Sequence, residues 1–266
     1  MGLLDGKKGL VFGIANDRSI AAHITASLRD HGATCGYAHL PGEKNERRTR
    51  RAVEKMGETD PWLHPCDASQ DADLDSVFEA YAKDFDRLDF VVHSIAFADR
   101  EWLQPGKFVE TPRASFLAAI DVSAFTLAAM AQRARAMMAD TGGGSIIGMS
   151  YYGSEKVVPG YNVMGVAKAC LESTTRYLAE DLGKSNIRVN TISAGPIRTL
   201  ASSAVGGIDQ MLEETPKFAP MRRNVEADEV GGTAVYLVSD LSSGVTGENI
   251  YVDCGVNIIG AAVEGA

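Results

Sequence analysis

What most constrains this chain is an alternation. Short apolar runs, each long enough for one buried strand, are separated by stretches whose apolar residues recur with a helical period. The first run spans Lys8 to Gly13 and reads Gly-Leu-Val-Phe-Gly at its core. A helix is expected over Ser19 to His31, with Ile20, Ile24 and Leu28 on one face and Gly32 as its stop. Ala33 to Ala38 is the second strand, Glu43 to Met56 a charged helix ended by Gly57, and Trp62 to Cys66 a short third strand. Asp71 to Asp84 is helical, with acidic residues in its first turn where the helix dipole favours them. Leu88 to Ile95 is the fourth strand.

Beyond it, a connection containing Trp102, Pro105 and Gly106 leads to helices over about Pro112 to Ala139. Gly142, Gly143 and Gly144 turn the chain into a fifth strand, Ser145 to Met149. A long helix from Tyr161 to about Gly183, a sixth strand (Ile187 to Ile192), a helix near Asp228 to Val238 and a seventh strand (Asn249 to Val252) complete the series. Strands apolar on both faces need helices on both faces, and alternation with helices supplies them through parallel crossovers. The expected architecture is therefore α/β, a doubly wound parallel sheet of about seven strands. No linker, composition shift or internal repeat divides the chain, so residues 1–266 are read as one domain.

Pro196 to Arg223 breaks the pattern. It is a long insertion after strand six, rich in small residues such as Ala201, Ser202, Gly206 and Gly207, and so weak in local propensity. It leaves from the carboxyl edge of the sheet, where ligands of open α/β sheets bind. Residues 196–223 are read as a substrate-binding lid; the plainer reading is a surface excursion.

Composition excludes several classes. A formal charge of −9 argues against a general nucleic-acid or anionic-membrane surface. No long uninterrupted apolar span suggests a membrane helix, and the N-terminal residues lack the apolar core of a signal peptide, so a cytoplasmic location is expected. Cys35, Cys66, Cys170 and Cys254 have no paired spacing and read as small buried side chains. Neither they nor the five histidines form a ligand set, and no metal site is assigned.

Two motifs carry chemistry. Tyr161 and Lys168 lie seven apart, two turns along one face if the helix begins at Tyr161, with Gly165 between them leaving room for something flat. A tyrosine beside a fixed ammonium can donate to a developing oxyanion, since the positive charge favours phenolate. One aromatic anchor and one surface lysine make the plainer reading. The second motif is the first strand-to-helix turn, Gly13 to Ile20. A dinucleotide site needs backbone that can approach a pyrophosphate and a helix N-terminus that supplies donors; Gly13 and Ser19 meet that need. Ala15 and Arg18 stand where the later glycines of the usual fingerprint fall.

Strand two ends Ala38-His39-Leu40, with neither the acid that contacts a ribose 2′-hydroxyl nor an arginine for a 2′-phosphate. Lys44, Arg47 and Arg48 follow on the next helix and read as a solvated face, so charge leaves the choice of cofactor open. Asp67 is placed either to accept from an adenine amino group or to close a turn.

With these residues in place, the chain resembles the short-chain dehydrogenase/reductase superfamily and, within it, the bacterial enoyl-acyl-carrier-protein reductases of the FabI type. The resemblance runs over essentially the whole chain. It rests on Gly13 to Ile20, His93-Ser94-Ile95-Ala96-Phe97-Ala98, Ser150-Tyr151-Tyr152-Gly153, Tyr161 to Lys168, and Ser193-Ala194-Gly195-Pro196-Ile197-Arg198-Thr199-Leu200. It implies a Rossmann-like, dinucleotide-binding catalytic domain. By resemblance, Tyr161 hydrogen-bonds the thioester carbonyl oxygen, Tyr151 is the second active-site tyrosine, and Lys168 holds the nicotinamide ribose. Gly13, Ser19, Ile20, Leu40, Asp67, Ala68 and Ile95 line the cofactor, with Ile197, Arg198, Thr199, Leu200 and Ala201 beside its nicotinamide end. Ala98 contacts substrate through its backbone, and Met164 joins the substrate-binding set. The implied reaction is hydride delivery from reduced nicotinamide to the β-carbon of a trans-2-enoyl thioester, with Tyr161 stabilising the enolate oxygen. The implied carrier of the substrate is acyl carrier protein, and the implied assembly is a homotetramer.

Two departures bear on specificity. Leu40 stands where NADH-using members often carry glutamine; NADH is still favoured because no basic residue immediately follows the strand, with NADPH the alternative. The lid stretch Gly206 to Gln210 lacks the basic residues of related enzymes, which leaves Lys217, Arg222 or Arg223 for carrier docking, or a weaker contact. Carbonyl-reducing members of the superfamily place a serine about 13 residues before the tyrosine. Here Gly148 lies 13 before Tyr161 and Ser150 lies 11 before, and the helix position that should carry an asparagine reads Asp121-Val122-Ser123. The alternatives are a carbonyl reductase or alcohol dehydrogenase on this scaffold and a non-catalytic nucleotide-binding regulator.

Overall fold

The computed structural model describes residues 2–260; residues 1 and 261–266 of the expected domain lie outside the described residues. The strands are β1 (Lys8–Phe12), β2 (Thr34–His39), β3 (Leu63–Pro65), β4 (Phe90–His93), β5 (Gly144–Ser150), β6 (Ile187–Ala194) and β7 (Asn249–Val252). They form one sheet in the order β3-β2-β1-β4-β5-β6-β7, every pairing parallel. The order reverses between β1 and β4, where the chain's crossovers depart to opposite faces and open a crevice at the carboxyl ends.

The helices are α1 (Ile20–Asp30), α2 (Glu43–Glu54), α3 (Asp71–Asp84), α4 (Arg113–Ile120), α5 (Thr126–Asp140), α6 (Val163–Gly183), α7 (Ile208–Phe218) and α8 (Ala227–Val238). Alternate side chains of each strand divide between two cores. Leu10, Phe12, Val91 and Ile146 pack with α3, α5 and α6, while Val11, Val92, Ile147 and Ile192 pack with α1, α2 and α8. At about 1.5–3 kcal/mol for each large apolar side chain fully buried, both faces must be covered, which is why these strands show no polar alternation.

The expected elements are present, with differences at their ends. Strand four is shorter than expected, and a wide π turn over Asp121–Phe125 separates α4 from α5. The insertion after β6 is more ordered than its small residues imply, since it contains α7. By length and composition Arg113–Asp140 could cross a membrane, contrary to the expectation that no such span exists. Here Ala119, Leu127, Met130, Ala134 and Met138 of that stretch are buried inside the fold. Most consequentially, α6 begins at Val163, so Tyr161 precedes it.

Candidate active site

Asn162 explains that late start. Its φ of 48° and ψ of −123° form a positive-φ turn conformation outside the left-handed helical basin, and it turns the chain into α6. Its side-chain amide donates to the carbonyls of Trp102 (2.6 Å) and Gln104 (2.7 Å), tying the β4–α4 connection to the head of the helix. Tyr161 therefore sits in a turn ahead of α6 while Lys168 lies inside it, so their seven-residue spacing is not two turns of one helix as expected. Gly165 also has a different use from the one expected. A Cβ there would meet the Gly153 carbonyl oxygen at 2.6 Å, so its small size admits backbone. Gly153 in turn makes room for the Tyr161 ring, which a Cβ would meet at 2.5 Å.

The Tyr151 and Tyr161 rings meet edge to face, centroids 4.8 Å apart at 66°, a geometry that satisfies the aromatic quadrupoles. Burial pushes the Tyr151 hydroxyl up to about 12. Tyr161 is raised further, by burial first and then by Tyr151 and Glu172. Both are neutral donors near pH 7.

Lys168 is 5% exposed, and its Nζ donates to the Met149 carbonyl at 2.6 Å. Burial pulls its ammonium down to about 8, opposed by the Glu172 carboxylate one turn further along α6. Beside it, His93 Nε2 pairs with Thr126 Oγ1 at 2.7 Å. The Thr126 hydroxyl donates to the Val122 carbonyl, so it must accept from His93, which fixes the Nε2–H tautomer. Burial, then the Lys168 charge, hold His93 neutral down to about 3.

The positions expected to line a cofactor follow the carboxyl ends of β1, β2, β3, β4 and β6. Gly13 has φ +106°, and a Cβ would meet the Ser94 carbonyl oxygen at 2.1 Å, so β1 and β4 can lie this close only with glycine there. Ser19 precedes α1 but turns its hydroxyl to the Asn16 carbonyl, leaving the helix without a side-chain cap or an acid in its first turn. The Ala22 and His23 N–H groups donate to the Ser19 carbonyl, which leaves those of Ile20 and Ala21 as donors at the switch point, an arrangement that suits a pyrophosphate. Ala68 is buried; Ile95 packs against the α3/α5/α6 core and Ile197 against the other.

Asp67 uses Oδ1 to accept from the Ser69 N–H and hydroxyl, which makes it a turn aspartate. Leu40 is 59% exposed. Arg198 forms an ion pair with Asp209 of α7 at 2.5 Å. Thr199 closes a tight turn with Ser202, leaving Leu200 and Ala201 exposed.

On the substrate side, Ala98, Leu103, Tyr161 and Met164 share one apolar cluster. Ser123, buried in the π turn, accepts the Phe97 N–H at 3.0 Å and so pins the segment that carries Ala98. The insertion reaches this cluster from outside: Gly206 N–H donates to the Leu103 carbonyl at 3.1 Å, and Met211 of α7 lies against Tyr151. Lys217 and Arg223, considered for carrier docking, are paired with Glu214 and Glu229, and Arg222 donates to the Lys217 carbonyl.

Sequence reasoning missed Asn162, Ser123, His93, Met211 and Glu172. Only Glu172 left a legible signal, a carboxylate among Met164, Ala167, Leu171 and Thr175 on the buried face of α6. Burial also pushes the thiols of Cys35 and Cys66 up to about 12, consistent with inert core positions.

The family profile described as Enoyl-(Acyl carrier protein) reductase matches residues 13–257. The chain is 48% identical over 259 residues to "Enoyl-[acyl-carrier-protein] reductase [NADH] FabI" of Synechocystis, covering 97% of this chain and 98% of that one. It is 47% identical over 260 residues to the Bacillus cereus protein of the same name, covering 98% and 100%. The crystal structure of the Bacillus cereus reductase with NADP+ and indole naphthyridinone superposes with a TM-score of 0.94, covering 98% of this chain and all of that one. The Anaplasma phagocytophilum reductase in complex with NAD is 44% identical, with a TM-score of 0.92 and 98% of each chain covered.

Proposed function

The chain belongs to the enoyl-(acyl carrier protein) reductase family, and from that premise we propose that Tyr161, Tyr151 and Lys168 form its active site. The protein is an NADH-dependent oxidoreductase of fatty-acid synthesis that reduces enoyl thioesters carried on acyl carrier protein. When bound, the reduced nicotinamide supplies a hydride to the substrate β-carbon. Tyr161 donates a hydrogen bond to the thioester oxygen as charge develops there, held in place by the Tyr151 ring edge. Lys168 donates to the nicotinamide ribose with the N–H groups that the Met149 carbonyl leaves over. The open donors of α1 take the pyrophosphate, and the free Asp67 oxygen takes the adenine amino group.

The observation that carries this reading over carbonyl reduction is the fate of Ser150. Its hydroxyl donates to the buried Glu172 carboxylate and is committed there. A ketone-reducing site needs a hydroxyl on the carbonyl beside the tyrosine; this site offers a second tyrosine instead. A spectrophotometric assay of NADH oxidation with crotonyl and acetoacetyl thioesters side by side tests it. Oxidation with the crotonyl thioester is expected. Turnover of the acetoacetyl thioester alone would overturn it, and no turnover with either would favour a nucleotide-binding regulator.

Residues 196–223 serve as the substrate lid of one catalytic domain, because α7 rests on the tyrosine pair. The assembly is a homotetramer in the cytoplasm. Leu117 on α4, Phe125 at the π turn and Tyr177 on α6 are each more than half exposed, which leaves apolar surface for a second copy to cover. Light scattering of the purified protein measures that assembly directly.

A further inference from the structure

Two consecutive residues at the end of β5 bind α6 in opposite senses. The Met149 carbonyl accepts from Lys168 at 2.6 Å, and the Ser150 hydroxyl donates to Glu172 Oε1. Asn249 of β7 donates to the same oxygen at 3.1 Å. Glu172 is 7% exposed and lies one helical turn beyond Lys168 on the same buried face of α6. Among the described residues no cation forms an ion pair with it. A carboxylate held this firmly in a core, by neutral donors alone, is costly unless its charge is used.

We propose that Glu172 is a positioning residue for the reaction: from one turn away, its fixed negative charge keeps Lys168 protonated and so competent to hold the cofactor ribose. This rests on the reading that Lys168 holds that ribose. The groups around the lysine leave few other sources of a pH response. His93 from β4 is neutral down to about 3, Tyr151 after β5 is pushed up to about 12, and burial raises Tyr161 further. Tyr251 of β7, beyond Glu172, is raised as well, by burial and by its hydrogen bond to Glu155. Of these groups and Lys168, only the lysine, at about 8, titrates between pH 6 and 9. Loss of its proton removes the positive charge and one donor from the ribose site.

The test is the affinity of the full chain for NADH between pH 6 and 9, read by cofactor fluorescence. Glu172→Gln keeps the acceptor for Ser150 and Asn249 but removes the charge. It should shift the alkaline loss of binding down by about one pH unit, an affinity loss of about fivefold at pH 8 and under twofold at pH 6. Ser150→Ala removes a hydrogen bond but keeps the charge, and Glu172→Asp keeps the charge on a shorter arm; both should leave the alkaline limb near its original position. An unmoved limb in Glu172→Gln, or an equal shift in Ser150→Ala, would overturn the proposal. Lys168→Ala separates the premise: unchanged NADH affinity at pH 7 would remove the lysine from the ribose site, and the role of Glu172 with it.

Discussion

The Tyr151 hydroxyl lies 3.9 Å from the Met211 sulfur, so α7 meets the tyrosine pair through one flexible thioether. Methionine has three rotatable bonds and fills irregular space, so this contact can yield to an acyl chain without moving the helix. Arg198 and Asp209, paired at 2.5 Å, tie α7 to the segment leaving β6 and set where Met211 falls.

Met211→Ala should therefore act on substrate binding. Losing one or two methylene-sized contacts at about 0.8 kcal/mol each predicts a rise in KM for a long-chain enoyl thioester of roughly four- to fifteenfold. kcat should stay within about twofold, since uniform binding is what is lost. Steady-state kinetics on short and long thioesters will separate the two parameters. A fall in kcat with KM unchanged would move Met211 from lining the chain to shaping the reacting geometry.

Tyr161→Phe removes one hydroxyl and keeps the ring that packs on Tyr151 and Gly153. If that hydroxyl meets the developing oxyanion, turnover should fall on the order of a hundredfold or more. The melting temperature should hardly change, because the edge-to-face contact survives. Tyr151→Phe should cost less, as its hydroxyl faces Met211 in this structure. If the two variants lose activity in the reverse order, Tyr151 is the donor to substrate.

Leu40 directly follows β2, where an adenosine ribose is expected, and its side chain can accept no hydrogen bond from a ribose hydroxyl. Leu40→Gln should tighten NADH binding by the worth of one hydrogen bond, about 0.5–1.5 kcal/mol, or roughly two- to tenfold. Lys44, Arg47 and Arg48 are exposed on α2, and none forms an ion pair among the described residues. They leave positive charge near the same edge, so the unaltered protein should also bind NADPH. Titrating both cofactors into both proteins checks this: a gain for NADPH in Leu40→Gln would mean that the glutamine does not face the ribose.

Much of this was legible in the sequence because the signals were local. Apolar runs between amphipathic stretches located the strands of the sheet, and Gly32 and Gly57 ended helices where a left-handed residue was needed. The two blocks around Tyr161 and Pro196 carried the family resemblance, and the family is the one the comparisons show. What could not be read was long-range. Asn162 looks like an ordinary helical residue until its amide is seen on Trp102 and Gln104, some sixty positions earlier. Tyr161 reads as part of α6 because nothing in its spacing betrays a positive φ at the next residue. Met211 meets Tyr151 across a separation of 60 residues, and the small residues flanking α7 concealed a helix that tertiary packing supports. The use of Gly165 was misjudged for the same reason, since the atom it admits belongs to Gly153.

The ion pair between Arg223, at the end of the insertion after β6, and Glu229 of α8 affects stability with a defined sign. Glu229, in the first turn of α8, takes both Arg223 Nη groups at 2.6 and 2.7 Å and the Glu226 N–H at 2.9 Å. The hydrogen bonds from Arg223, then that from the backbone, draw its carboxyl down to about 2 from an ordinary value of 4.5. The native state thus binds this proton less readily than the unfolded chain does. Its contribution to stability is complete above the unfolded value of 4.5 and is lost as pH falls towards 2. Both side chains are more than a third exposed, so solvent screening leaves only a small part of this as stability. Glu229→Gln should lower the melting temperature by about 2–4 °C at pH 7. The gap between variant and parent should narrow steadily as pH is taken below 4.5. Calorimetry at several pH values measures it, and a gap that widened in acid would contradict the sign of the linkage.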